Sequence, residues 1–321
     1  MLQDRFGRVV NYLRISITQK CNFRCQYCMP NTPDDFFDSL EEIPLNAMLN
    51  FIYLMIDEGI QKIRITGGEP LLRKDVDDFI AKIYAYSPQV DIALTTNGYF
   101  LPHYAQRLKN AGLKRINISL DTLKKEKAIL LSKKDILEQT LSGIEEALKA
   151  GLKIKLNMVP LVGINDDEIL EILEFAIQKG IMLRFIEFME NEHASTKIKG
   201  LRATDILNII HLRYATQKKE KENFGPASLY EIPQKATFGI IAPHDHHFCE
   251  SCNRIRLNSE GFIIPCLYFD EAINLKEAIL NNDQQEMKMG VQKALNNKAE
   301  KNRWSEVSSE ISSRAFYKTG G

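Results

Sequence analysis

Three of the chain's six cysteines, Cys21, Cys25 and Cys28, fall within the ten residues CNFRCQYCMP, directly after the strand-like run YLRISIT. A structural zinc site is a closed tetrahedron of four protein ligands, and a disulfide framework uses thiols in pairs. The spacing Cys-x3-Cys-x2-Cys fits neither, unless zinc recruits a distant fourth ligand. It fits a metal centre or cluster with one coordination position kept open. The other thiols, Cys249, Cys252 and Cys266, form a second triad in FCESCNRIRLNSEGFIIPC. Three thiolates leave one iron of a [4Fe–4S] cluster without a protein ligand, and such clusters use short cysteine spacings. The alternative at the second triad is a Cys3His zinc site, because His244, His246 and His247 lie just upstream.

Elements must position these thiols. Short β-branched runs alternate with longer helical patterns from residue 12 to about residue 188. The strand candidates are YLRISIT, IQKIRIT, VDIALTT, LKRINISL, LKIKLNMV and IMLRFIEF. Between them lie the helix candidates LNAMLNFIYLMIDEG, DVDDFIAKIYAYS, PHYAQRLKNAG, ILEQTLSGIEEALKAG and DDEILEILEFAIQKG, the last two with i, i+3, i+4 apolar spacing and a terminal glycine. Six βα units imply a parallel sheet. They fall two short of a full eightfold barrel, so the expected fold is α/β: a partial, open, TIM-like (β/α)6 barrel. Beyond it NEHASTKIKGLRATDILNIIHLRY reads as a loop and a helix, and the charged, then Gly- and Pro-containing KKEKENFGPAS as a boundary. The expected units are therefore 1–217 and 218–321, the second a smaller α+β domain with strands SLYEIP, ATFGIIAP and NRIRLNSEGFIIPCLY and helices near its end.

Strand parity adds chemistry, because successive side chains point to opposite faces. Leu13 and Ile15 oppose Arg14 and Ser16, and Ile63 and Ile65 oppose Lys62, Arg64 and Thr66. Ile92 and Leu94 oppose Ala93, Thr95 and Asn97, Ile116 and Ile118 oppose Arg115, Asn117 and Ser119, and Ile154 and Leu156 oppose Lys153, Lys155 and Asn157. The apolar face suits helix packing. A basic inner face is costly in a packed core, and makes sense around a polar, anionic ligand.

Composition narrows the partners. The 321 residues are 44% hydrophobic and 26% charged with a formal net charge of +0, which gives no global attraction to nucleic acid or anionic membrane. No run approaches a membrane span, and the first 20 residues lack a signal-peptide pattern. A cytoplasmic, reducing setting is expected, where clustered thiols bind metal or do redox chemistry.

With Tyr27 before its last cysteine, CNFRCQYCMP is similar to the radical S-adenosylmethionine (SAM) superfamily, and Thr66-Gly67-Gly68-Glu69-Pro70 resembles that superfamily's GGEP segment. More closely, LRISITQKCNFRCQYCMP, KIRITGGEPLLR, LTTNG, RINISLDTL, IKLN, GINDDE, LRFIEFM and FCESCNRIRL occur in the order found in the GTP 3′,8-cyclase family of molybdenum cofactor biosynthesis. The resemblance runs from about Arg5 to Cys266 and returns at Gly320-Gly321.

It implies two [4Fe–4S] clusters. Cys21, Cys25 and Cys28 would hold one whose open iron is chelated by SAM, in a pocket lined by Tyr27, Gly68, Ser119 and Met189. Cys249, Cys252 and Cys266 would hold an auxiliary cluster facing guanine. Arg14, Arg64, Thr95, Lys155, Arg254 and Arg256 match GTP-binding positions, and Lys62 and Arg184 further basic ones. The implied reaction is hydrogen abstraction from C3′ of GTP by a 5′-deoxyadenosyl radical and closure onto C8. Implied partners are an external electron donor such as a flavodoxin, a downstream cyclic pyranopterin phosphate synthase, and a second copy in a homodimer. The tail SSRAFYKTGG departs from the family except in its double glycine, which in the family reaches the active site. The histidine-rich HDHHFCESC leaves open an extra histidine ligand to the auxiliary cluster. A different radical SAM enzyme with an auxiliary cluster, acting on a peptide or small molecule, and a zinc-stabilised nucleotide- or nucleic-acid-binding module are the competing readings.

Overall fold

Six β-branched runs become six neighbouring parallel strands. The computed structural model describes residues 1–29, 41–220, 225–304 and 311–320. Gly321, Pro30 of the first cysteine motif and positions 221–224 of the expected boundary lie outside the described residues. In order, β1 (Tyr12–Ser16), β2 (Lys62–Thr66), β3 (Asp91–Thr96), β4 (Arg115–Ser119), β5 (Lys153–Met158) and β6 (Met182–Ile186) pair side by side. The connecting helices are α1 (Leu45–Asp57), α2 (Val76–Tyr86), α3 (Leu101–Asn110), α4 (Lys125–Ser132), α5 (Leu137–Lys149) and α6 (Ile169–Gln178), with α7 (Ala203–His211) after β6. Five of these six connecting helices match expected patterns. The exception is α4, whose KEKAILLS bunches its apolar residues together and so shows no stripe.

The last third of the chain continues both edges of this core. On one side come β9 (Ala236–Ile241), parallel to β6, then β8 (Ala227–Ile232) and β7 (Gln217–Lys218). On the other come β10 (Arg254–Leu257), parallel to β1, then β11 (Phe262–Ile264) and β12 (Ile273–Asn274). Helices α8 (Lys276–Leu280) and α9 (Gln284–Asn296) follow, and α10 (Phe316–Thr319) ends the described chain. The smaller C-terminal unit thus shares one twelve-stranded sheet with the core.

This order forces curvature. Seven interstrand spacings separate β9 from β10, about 34 Å in a flat sheet at roughly 4.8 Å each. Twelve residues, 242–253, join them, and they are folded into turns: Asp245 N donates to Ala242 O, Phe248 N to Asp245 O and Cys252 N to Cys249 O. So compact a link reaches only if the sheet curls into an incomplete barrel.

Register makes the two faces continuous. Leu13 aligns with Ile63 and Ile255, while Arg14 aligns with Arg64 and Arg256. Leu13, Ile15, Ile63, Ile65, Leu94 and Ile116 are fully buried under the helices, each contributing roughly 1.5–3 kcal/mol. No helix among the described residues is long and apolar enough to cross a membrane.

Candidate active site

The first cysteine loop is fixed by what surrounds it. Past their strands, the β1 and β2 segments run on together: Ile17 N donates to Thr66 O, Gly68 N to Thr18 O at 2.8 Å and Glu69 N to Lys20 O at 2.8 Å. A Cβ on Gly68 would stand 2.3 Å from Lys20 O, so this approach requires glycine. Glu69 is fully buried and staples the ends of β2 and β3, accepting from Thr96 Oγ1 and Asn97 N, each at 2.7 Å. Burial pushes its carboxyl up to about 7. From the other side, Arg24 N and Gln26 N donate to Ser132 O and Leu131 O at the end of α4. The helix that the sequence pattern missed therefore seats the cysteine loop.

Burial pushes the Cys21 and Cys28 thiols up to about 12 and raises Cys25 as well. Three such thiols become thiolates together only when metal takes the proton's place. Beside them lies a cavity of ≈ 230 Å³ whose wall includes Tyr27, Gly68, Ser119 and Met189. Asp121, absent from the sequence reading, joins them by accepting from Tyr27 Oη at 2.6 Å.

A second cavity of ≈ 1000 Å³ holds the other expected residues: Arg14, Lys62, Arg64, Thr95, Lys155, Arg184, Arg254 and Arg256, together with Cys249, Cys252 and Cys266. The two cavities share Thr95, Asn157, Ile186 and Met189. The two cysteine triads accordingly face one divided interior.

Its wall is strongly positive. Ten basic side chains line the larger cavity against Asp91 and Glu220, and Asp91 is engaged by Arg115 at 2.6 Å. Arg184 is held by neutral amides, its Nη2 donating to Asn117 Oδ1 at 2.6 Å and to Asn157 Oδ1 at 2.7 Å. Arg64 Nε and Arg256 Nε are buried without a hydrogen-bond acceptor. Burial, reinforced by neighbouring cations, lowers Lys155 to about 8, Arg184 to about 9 and Arg256 to about 10. Cations with depressed affinity for protons and open donors fit a polyanion.

At the second triad burial alone would raise Cys252. The positive charges of Arg254 and Lys298 outweigh it and bring the thiol down to about 5, whereas burial leaves Cys249 raised. Among the described residues no three His, Cys, Asp or Glu side chains converge as on a single metal ion. A cube of four irons asks less convergence, because each thiolate binds a different iron, so both donor sets suit clusters. Of the histidines that left open an extra ligand, His244 is engaged elsewhere: its Nδ1 lies 2.7 Å from Glu187 and its Nε2 2.8 Å from Glu190. His246 is exposed, and exposed His247 pairs with Glu250. The tail does reach this interior. Arg14 Nη2 donates to Gly320 O at 2.5 Å, and a Cβ on Gly320 would stand 2.0 Å from Thr66 Cγ2.

A half-open parallel barrel with a three-cysteine loop after its first strand defines a radical SAM protein. The family model described as Radical SAM superfamily matches residues 15–176, and that described as Molybdenum Cofactor Synthesis C matches residues 181–304. The chain is 53% identical over 321 residues to the GTP 3′,8-cyclase of Helicobacter pylori, covering 100% of both chains. To that of Campylobacter jejuni it is 54% identical over 321 residues, again covering 100% of both. It belongs to the GTP 3′,8-cyclase family. Among solved structures, Streptococcus suis SuiB bound to S-adenosylmethionine matches with TM-score 0.65 and 16% identity over 84% of this chain and 64% of that one. Histidine-tagged anSMEcpe with bound AdoMet matches with TM-score 0.57 and 15% identity over 95% and 90%. At such identities the likeness is one of fold.

Proposed function

We propose that the chain converts GTP to 3′,8-cyclo-7,8-dihydro-GTP, the first step of molybdenum cofactor biosynthesis. The observation that carries this reading is the in-register row Arg256–Arg14–Arg64 inside a cavity that is lined by the second cysteine triad and shares a wall with the cavity of the first. Cys21, Cys25 and Cys28 would hold the [4Fe–4S] cluster that chelates SAM, and Cys249, Cys252 and Cys266 a second cluster facing guanine. Held by Cys21, Cys25 and Cys28, that first cluster would supply the electron for reductive cleavage of SAM to methionine and a 5′-deoxyadenosyl radical.

The chain's own task is positioning. Tyr27, Gly68, Ser119 and Met189 shape the SAM cavity. Arg14, Arg64, Lys155, Arg254 and Arg256 hold the triphosphate, for which arginine forks are well suited. Lys62 and Arg184 add positive charge, and Thr95, in the shared wall, touches both ligands. Holding the reacting atoms in one orientation supplies much of the catalytic effect, and an enclosed interior limits side reactions. The reading also calls for an external one-electron donor of the flavodoxin kind, hand-off to a cyclic pyranopterin phosphate synthase, a homodimer and a cytoplasmic setting.

GTP deuterated at C3′ tests it. Deuterium should appear in 5′-deoxyadenosine, and 5′-deoxyadenosine formed without label would overturn the reading. Label from a peptide substrate instead would favour the competing radical SAM reading.

A further inference from the structure

Besides Arg254 of the basic wall, whose side chain also bonds Cys252, two polar side chains touch the second triad's sulfurs, and both come from the turn after α9. Lys298 is 2% exposed, and its Nζ donates to Cys252 Sγ at 3.5 Å, Arg254 O at 2.8 Å and Pro265 O at 2.8 Å. Asn302 is 6% exposed, and its Nδ2 donates to Cys249 Sγ at 3.3 Å and Pro243 O at 3.1 Å. Pro265 directly precedes Cys266. Lys298 thus ties together the backbone beside two cysteines and the sulfur of one.

A lysine this deeply buried needs a negative partner. Lys298 has no carboxylate partner among the described residues; its acceptors are two carbonyls and a sulfur. The missing negative charge must come from the thiolates and whatever they bind. Hydrogen bonds and positive charge at cluster sulfurs favour the reduced, more negative state, and so raise the reduction potential.

We propose that Lys298 and Asn302 are positioning residues of the second cluster, which hold its cysteines and set its reduction potential above the value that three cysteines alone would give. This rests on the second triad holding a cluster. Lys298 lies behind the cavity wall and Asn302 lines it beside Cys249; both act through the ligating sulfurs.

The test uses anaerobically purified, full-length protein, with iron counted per chain and both clusters titrated potentiometrically by electron paramagnetic resonance. Adding SAM marks the first cluster, which serves as the internal reference. In Lys298→Met about eight irons should remain, as expected for two cubes of four. At a fixed potential the second cluster's reduced-to-oxidised ratio should fall at least about tenfold, about 59 mV for a one-electron couple. Lys298→Gln keeps N–H donors without charge and should fall between wild type and Lys298→Met. Asn302→Ala removes one neutral hydrogen bond and should lower the ratio about threefold. It keeps the question answerable should both lysine variants lose the cluster. An unmoved ratio in the variants that retain about eight irons overturns the inference. About four irons in the wild type itself, with zinc at the second triad, would instead overturn the reading beneath it.

Discussion

Tyr12 sits 3% exposed on the inward face of β1, with Lys62 Nζ 4.6 Å and the Arg64 guanidinium 5.8 Å from its ring centre. Burial alone would raise its phenol, but Arg64, Arg14, Lys62 and Arg254 outweigh burial and bring it down to about 8. The phenolate is therefore favoured by folding. This group adds stability as pH rises from about 8 toward its ordinary value near 10, and none below 8. The wild type minus Tyr12→Phe difference spectrum should show tyrosinate appearing with a midpoint near 8. A bound triphosphate neutralises the same cations and should move that midpoint upward. A midpoint near 10 in the free protein would mean that the cations are already neutralised. Read as sequence, Tyr12 looks like one more core aromatic beside Leu13, and only its parity with Arg14 could have placed it inside the cavity.

At the scale of elements, strand alternation made the basic interior legible. Leu13, Ile63 and Ile116 mark one face so cleanly that Arg14, Arg64 and Asn117 could be assigned to the other, and all of them lie where parity put them. Helix α4 was not legible, because a helix packed at a strand end beside a loop needs no regular stripe. Asp121, Lys298 and Asn302 were also hidden: each is a single polar residue whose partner is brought near only by the tertiary fold. The Gly67-Gly68 pair was legible as a motif, while the reason for it lies in the fold, where the end of β2 passes against the backbone of Lys20. A Gly68→Ala change puts a methyl 2.3 Å from a carbonyl oxygen that belongs to the first cysteine loop. We expect a loss of about 1–3 kcal/mol and iron lost from the first triad. Thermal unfolding and iron counts on Gly68→Ala check this, and unchanged SAM binding with full iron content would show that the loop can give way.

For the whole molecule, the short link of residues 242–253 is held from outside by the N-terminal segment. Arg8, fixed by Asp4 at 2.6 Å, donates to Cys249 O at 3.0 Å, Glu300 O at 2.7 Å and Ala299 O at 2.7 Å. One guanidinium thus braces the second cysteine loop and the turn that carries Lys298 and Asn302. Removing it leaves the buried Asp4 carboxylate with only the backbone N–H groups of Phe6 and position 8, so Arg8→Ala should cost about 1–3 kcal/mol. Iron should be lost from the second triad before the first. Mild chelation followed by spectroscopy of the remaining cluster distinguishes the two, and equal loss from both would argue against a local brace.

The strands that complete the sheet are made late. β6 ends at Ile186 and β9 begins at Ala236, while Leu13 of β1 waits for Ile255. During synthesis, then, a nearly finished barrel carries two bare strand edges, the kind of surface on which neighbouring chains join. Both edges are capped in one passage of chain, and that passage carries Cys249 and Cys252. The second cysteine loop is therefore the link between the two strands that cover those edges, so it is anchored at both ends only once both edges are closed.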